Sequence, residues 1–169
     1  MPLSSTLAVS AFAELTGPSG LGTARVPAGL SRAVTLASGT GAGQADKVYT
    51  ARRTIAANGS EDLDLAGVLL DALGGTITFA KIKGMVIAAA AGNANSIVIG
   101  AAASNSWAAL LNATGTITLR PGAVLAAVAG GADATAYAVT GSTGDILKVA
   151  NSGGGSAVTY DICIVGTSA

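Results

Sequence analysis

"MVIAAAAGNANSIVIG", residues Met85 to Gly100, is the stretch whose reading decides the fold class. Its first half is apolar and rich in alanine, which suggests a helix or a membrane segment. The apolar run ends at Gly92-Asn93, whereas a helix needs about 20 consecutive apolar residues to cross a bilayer. A membrane span is thereby excluded. Alanine favours helix, but Val86 and Ile87 on one side and Ile97, Val98 and Ile99 on the other are β-branched. Gly92-Asn93-Ala94-Asn95 between them is turn chemistry. The stretch reads as two antiparallel strands joined by a short polar turn. Unbroken apolar runs, rather than clean alternation, predict strands covered on both faces by another sheet, a loop or another subunit.

The same pattern extends through the chain from about Asp46. Short runs such as "KVYTARRTIA", "EDLDLAG", "TITFAKIKG", "GTITLRPG", "DILKVA" and "AVTYDICIVG" are separated by Gly, Asn and Ser. Eight or nine strands at fairly even spacing predict an all-β sandwich or barrel rather than βαβ units. "LAGVLLDALGG" is the best candidate for a helical turn or two, ended by Gly74-Gly75. Residues 1–43 differ in character. Three of the four prolines lie there, with "TGPSGLGTARVPAG" and "ASGTGAG", and breakers of this density predict an extended arm. Leu3 to Leu15 is a candidate short helix within it. The expected division is an extended N-terminal arm over 1–43 and a β-sandwich domain over 44–169.

Composition narrows the function classes. The 169 residues are 50% hydrophobic but only 4% aromatic, with 24 glycines, so the apolar content is mostly alanine and aliphatic. Each strand is expected to be thin, since a buried alanine contributes far less than the roughly 1.5 to 3 kcal/mol of a buried Leu, Ile or Phe. Nine basic and nine acidic residues cancel, leaving no electrostatic footprint for nucleic acid or an anionic membrane. Low charge and a mean hydropathy of +0.60 favour association over life as a free monomer. The single cysteine, Cys163, excludes an internal disulfide and reads as a small core residue. The start of the chain has no basic stretch followed by a long apolar run, so no secretory signal is expected and synthesis is placed in a cytoplasm.

Histidine is absent, which removes His-dependent nucleophile systems and most zinc sites. Glu61, Asp62 and Asp64 form the acidic cluster. Strand alternation puts Asp62 and Asp64 on one face and Leu63 and Leu65 on the other. The pair reads first as a solvated strand edge that discourages edge pairing; calcium binding and acid/base chemistry are the competing readings. If "ANGS" (residues 57–60) turns a hairpin, Arg52 and Arg53 face this segment and pair with it across the strands; contacts between subunits are the alternative. "GTGAGQ" and "GPSGLGTAR" lack the strand-loop-helix setting and the Gly-Lys-Ser/Thr ending of a phosphate loop, so no cofactor is expected. Trp107 and Tyr137 are equally suited to filling a core and to forming a ligand platform.

"RRTIAANGSEDLDLAG", "ATGTITLRPGA" and "TGDILKVANSGGGSAVTYDICIVGTSA" resemble the small virion proteins of tailed bacteriophages, in particular capsid decoration or cement proteins. The likeness covers roughly Val48 to Ala169. It implies a jelly-roll-like antiparallel β-sandwich that forms a homo-oligomer, a dimer or trimer. It also implies binding to the major capsid protein on the outside of an icosahedral head, and so a virion location. On that reading the arm lies along the shell. Phe12, Leu15, Leu21 and Val26 are its expected apolar anchors, and Arg25 and Arg32 its expected partners for acidic groups. Two other classes stay open: a head-fibre or tail-fibre domain that binds a host receptor through Trp107, Tyr137 and loops, and a carboxylate-dependent glycan hydrolase using Asp62 and Asp64.

Overall fold

The structure, a computed structural model, describes residues 2–169. Strands, and no helix, make up the regular structure of these residues. In chain order they are β1 (Ser5–Ser19), β2 (Gly22–Ser38), β3 (Gln44–Ala45), β4 (Lys47–Ile55), β5 (Ser60–Asp64), β6 (Leu69–Leu70), β7 (Thr76–Ile77), β8 (Lys81–Ala89), β9 (Ile97–Gly100), β10 (Thr116–Leu119), β11 (Val124–Val128), β12 (Tyr137–Ala138), β13 (Ile146–Asn151) and β14 (Val158–Thr167). One sheet has the order β11-β8-β14-β4, with β12 also paired to β8; a second has the order β10-β9-β13-β5. Every pairing within these two sheets is antiparallel.

Strand alternation sorts the side chains into two layers. In the first sheet the register aligns Tyr49, Ile164 and Met85 in one row and Ala51, Ile162, Ile87 and Leu125 in the next. In the second sheet it aligns Val149, Ile99 and Ile117, with Leu63 beside Leu147. These rows meet in a single core that also takes in Phe79, Trp107 and Tyr160. The molecule is therefore an all-β sandwich. The expectation of thin strands needs correction, because Ile, Leu, Val and Met supply most of the inward rows, while Ala88, Ala126 and Ala150 stand on outward ones.

Residues 85–100 supply interior strands, but they do not pair with each other. β8 lies between β11 and β14 in one sheet, and β9 between β10 and β13 in the other. The Gly92–Asn95 turn is an arch between layers. Asn93 stabilises it by standing in for a strand: its side-chain amide donates to the Thr159 carbonyl at 2.8 Å and its oxygen accepts from the Thr159 N–H at 2.8 Å. A side chain thus takes over pairing with β14 as β8 departs. The "ANGS" segment behaves alike, with β4 ending in one sheet and β5 beginning in the other. Where helical turns were expected in "LAGVLLDALGG", the chain makes turns and the small β6–β7 ladder. Asp71 organises that ladder's turn by accepting the N–H groups of Leu73 and Gly75.

The segment expected to be an extended arm is a β-hairpin instead. β1 and β2 pair in unbroken register from Ser5↔Leu36 to Ser19↔Gly22. The helix considered for Leu3 to Leu15 does not form, because Leu7, Val9, Ala11, Ala13 and Leu15 alternate with period two and meet Val34, Arg32, Leu30, Ala28 and Val26 across the ladder. The base of the hairpin lies on the outer face of the five-stranded sheet. There Val48, Val165, Gly84 and Val128 form one row across four strands. Leu7, Leu36 and Ala45 are buried with Val165 in a second cluster, joined by Leu3, Val34, Val48, Val128 and Cys163. A Cβ at position 84 would collide with the Leu7 methyl, so glycine there is the seat of the hairpin.

Candidate functional site: the projecting hairpin

Fifteen register pairs at about 3.3 Å per residue make a ribbon about 45 to 50 Å long. Only its base is covered. Residues directly opposite in an antiparallel pair share a face, so the register defines two surfaces. One is an apolar stripe in which Val9, Ala11, Ala13 and Leu15 lie beside Arg32, Leu30, Ala28 and Val26. It continues the surface that Leu7 and Val34 bury at the base. The other carries Ser10, Phe12, Glu14 and Thr16 opposite Ser31, Gly29, Pro27 and Arg25.

The expected anchors are distributed over both surfaces and the tip. Leu15 (74% exposed) and Val26 (58%) face each other on the apolar stripe, and Leu21 at the turn is fully exposed. Phe12 (76% exposed) lies on the opposite face over Gly29, where a Cβ would lie 3.5 Å from the ring. Arg25 is engaged within the hairpin, donating to Glu14 at 3.1 Å. Arg32 stands on the apolar stripe beside Val9 and donates to the Ser31 carbonyl at 2.9 Å. Val9 and Leu30, both exposed, complete the stripe. Their signal in the sequence is the alternation from Leu7 onward, diluted by alanine and serine.

A two-stranded ribbon is marginally stable in water, and a contiguous exposed apolar patch marks a contact surface. β2 pairs with β3 at its end, Ala37↔Gln44 and Ser38↔Ala45; beyond that base both strands are edges, each an open row of peptide groups of the kind that pairs with other chains. Pro18 and Pro27 each remove one donor from those edges. The geometry suits docking along a surface far better than enclosing a small molecule. The groove beside the hairpin base, lined by Leu3, Asp46, Val48, Asp71, Leu73 and Ile77, holds ≈ 240 Å³, below the roughly 300 to 1,000 Å³ of ligand pockets. The ≈ 340 Å³ hollow on the hairpin around Phe12 and Leu30 is an open one lined by apolar residues and glycine, with no polar side chain to orient a ligand.

The remaining sequence candidates serve the sandwich. Arg52 makes a two-pronged pair with Asp161, its register partner on β14, at 2.7 and 2.8 Å. That contact raises the Arg52 pKa and holds the Asp161 carboxyl below its ordinary value. Arg53 points inward and binds Glu61 of the facing sheet, with Nε donating at 2.8 Å. Glu61 also accepts the Tyr160 hydroxyl at 2.9 Å. Arg53 and the acidic segment do meet, but between sheets rather than across a hairpin. Burial, reinforced by Glu61, pushes the Tyr160 pKa upward. Sequence reasoning missed Tyr160, since nothing local marks its partner 99 residues away.

Asp62 and Asp64 share the outer face as alternation requires. Asp62 stands opposite Lys148, and Asp64 accepts the Ala66 N–H at 2.9 Å. No group of three or more His, Cys, Asp or Glu side chains able to hold a metal ion occurs among the described residues. Trp107 is buried, donates to the Ala138 carbonyl at 2.8 Å and meets Tyr137 edge-on with ring centroids 6.4 Å apart. Comparison with protein-family models, curated proteins and solved structures found no match to this chain.

Proposed function

We propose that this protein is a non-catalytic component of a phage virion that attaches to the outer surface of an icosahedral capsid through the projecting hairpin. The observation that carries this reading is the hairpin itself, buried at its base and uncovered along the rest of its length, with Phe12 on one face and Leu21 at the tip exposed apart from the apolar stripe. A limb of this kind lies along a partner and contributes many weak contacts. Repeated over a symmetric shell, such contacts produce avidity without any single strong site. The resemblance to decoration proteins supports the same reading.

The strand order supports it further. Taken in chain order, the eight strands β4, β5, β8, β9, β10, β11, β13 and β14 divide so that first, eighth, third and sixth form one sheet. The second, seventh, fourth and fifth form the other. We read this as the jelly-roll arrangement of two interlocked Greek keys. The major capsid protein is the proposed partner, and the virion exterior the proposed location.

The test shortens the hairpin without disturbing its seat. Val9 and Arg32 are register partners and, by alternation from the Ser19↔Gly22 pair that closes the present turn, a hydrogen-bonded pair. Residues 10–31 are therefore replaced by Asn-Gly, a two-residue turn that closes such a pair. Leu7, Val34 and Leu36 stay in place. The shortened protein is expected to melt as the parent does and to fail to co-sediment with undecorated capsids. Undiminished co-sedimentation overturns the assignment.

A further inference from the structure

The sheet face on which the hairpin sits continues beyond the hairpin. One step along the same outer face, the register aligns Thr50, Cys163, Val86 and Ala126; the next step aligns Arg52, Asp161, Ala88 and Val124. These two rows parallel the Val48, Val165, Gly84 and Val128 row under the hairpin base, and of their residues only Cys163 packs against the hairpin-base cluster. Thr50, Ala126 and Val124 are exposed, and Cys163, Val86 and Ala88 are half-buried. Small apolar side chains dominate the β8 and β11 half of this surface, as they do in the seat.

The hairpin leaves most of these two rows open in its own chain. Its base lies over β14, where Leu7 and Leu36 are buried with Val165. It then crosses toward β11, where Val34 lies 3.6 Å from the Cβ position of Gly131. From there it runs in unbroken register to Ser19–Gly22, with its apolar stripe exposed from Val9 onward.

We propose that the apolar stripe of one copy, centred on Val9, Leu30, Leu15 and Val26, docks onto these two rows of a second copy of this chain. The occupant follows from continuity. The same ribbon face is already buried on the same sheet face within the chain, one row away. Four strands about 4.8 Å apart are about 15 Å across, and Val9 to Leu15 spans about 20 Å, so the stripe crosses the sheet and leaves the Leu21 tip free. Mutual exchange closes a dimer and head-to-tail exchange closes a ring. With the stripe occupied by a second copy, the Phe12 face and the Leu21 tip stay free for the shell; a monomer that still decorates capsids overturns this inference and leaves the proposed function intact.

The test uses the full chain carrying Cys163→Ser, so that introduced thiols are the only ones. Leu30→Cys is made in one preparation and Ala126→Cys in another; both positions are exposed, so the core is untouched. Under mild oxidation the mixture is expected to form a disulfide between the two variants, while each variant alone stays unlinked. Light scattering of the unmodified chain is expected to show a discrete oligomer. The double change Leu15→Asp with Leu30→Asp, at positions whose register partners are Val26 and Ala11, should weaken association at least about tenfold with the circular dichroism spectrum retained, because carboxylates would be buried against an apolar face. A chain that is monomeric at all concentrations overturns the inference. So does self-linking of Leu30→Cys alone, which would place hairpin against hairpin.

Discussion

Tyr160 shows how one side chain joins two layers. Its ring fills the core, and its hydroxyl reaches Glu61, which is held in turn by Arg53. Tyr160→Phe keeps the ring and removes a hydrogen bond to a charged acceptor, so it should destabilise the sandwich by about 1 to 2 kcal/mol in urea unfolding. The titration behaviour follows from the same contacts. The carboxyls of Asp71, Asp133 and Asp161 are held below their ordinary values, the first two by backbone N–H groups and the third by Arg52. A lowered carboxyl stabilises the fold at neutral pH and loses that contribution as pH falls from about 4 through its folded value. Tyr160 and Cys163 are raised, chiefly by burial. Their contribution is complete below the unfolded values and is lost as pH rises beyond about 9 to 10. With no histidine to titrate between, a melting profile against pH should be flat across neutrality and fall at both ends. A step near pH 6 to 7 would contradict this.

At the scale of elements, the hairpin depends on its seat at Gly84. Gly84→Val would collide with Leu7 and lift the base from the sheet, at a cost of about 1 to 3 kcal/mol. Amide exchange should then quicken at Leu7 and Val34 while Ile87 and Ile162 stay protected. The strands themselves were legible in the sequence, because β-branched runs between Gly and Asn turns have few other solutions. Their partners were not. Gly92–Asn95 and "ANGS" carry the chemistry of hairpin turns, yet both bridge the two layers, and the difference lies in distant residues: Thr159 for Asn93, and β13 for β5. The hairpin was concealed for another reason. Its period-two pattern is written in alanine, serine and glycine, and its prolines read as breakers, although a ribbon of two edge strands tolerates proline.

At the scale of the whole molecule, the sandwich is a self-sufficient body with a limb that is not. The core residues form one continuous cluster between the sheets, and among the described residues the exposed large apolar side chains concentrate on the hairpin: Val9, Phe12, Leu15, Leu21, Val26 and Leu30. The low charge and high hydropathy of the chain thus have a location. Of the candidate site, the apolar residues Phe12, Leu15, Leu21 and Val26 could be picked out in advance, and they are exposed; their division between two faces and a tip required the register of β1 on β2.

The measurement that tests this account most directly is amide hydrogen exchange of the full chain, diluted below self-association, with and without undecorated capsids. Rapid exchange over residues 9–32 in the free protein, and protection there on addition of capsids, is the result the account predicts. Protection confined to loops of the sandwich, with the hairpin still exchanging freely, would contradict it.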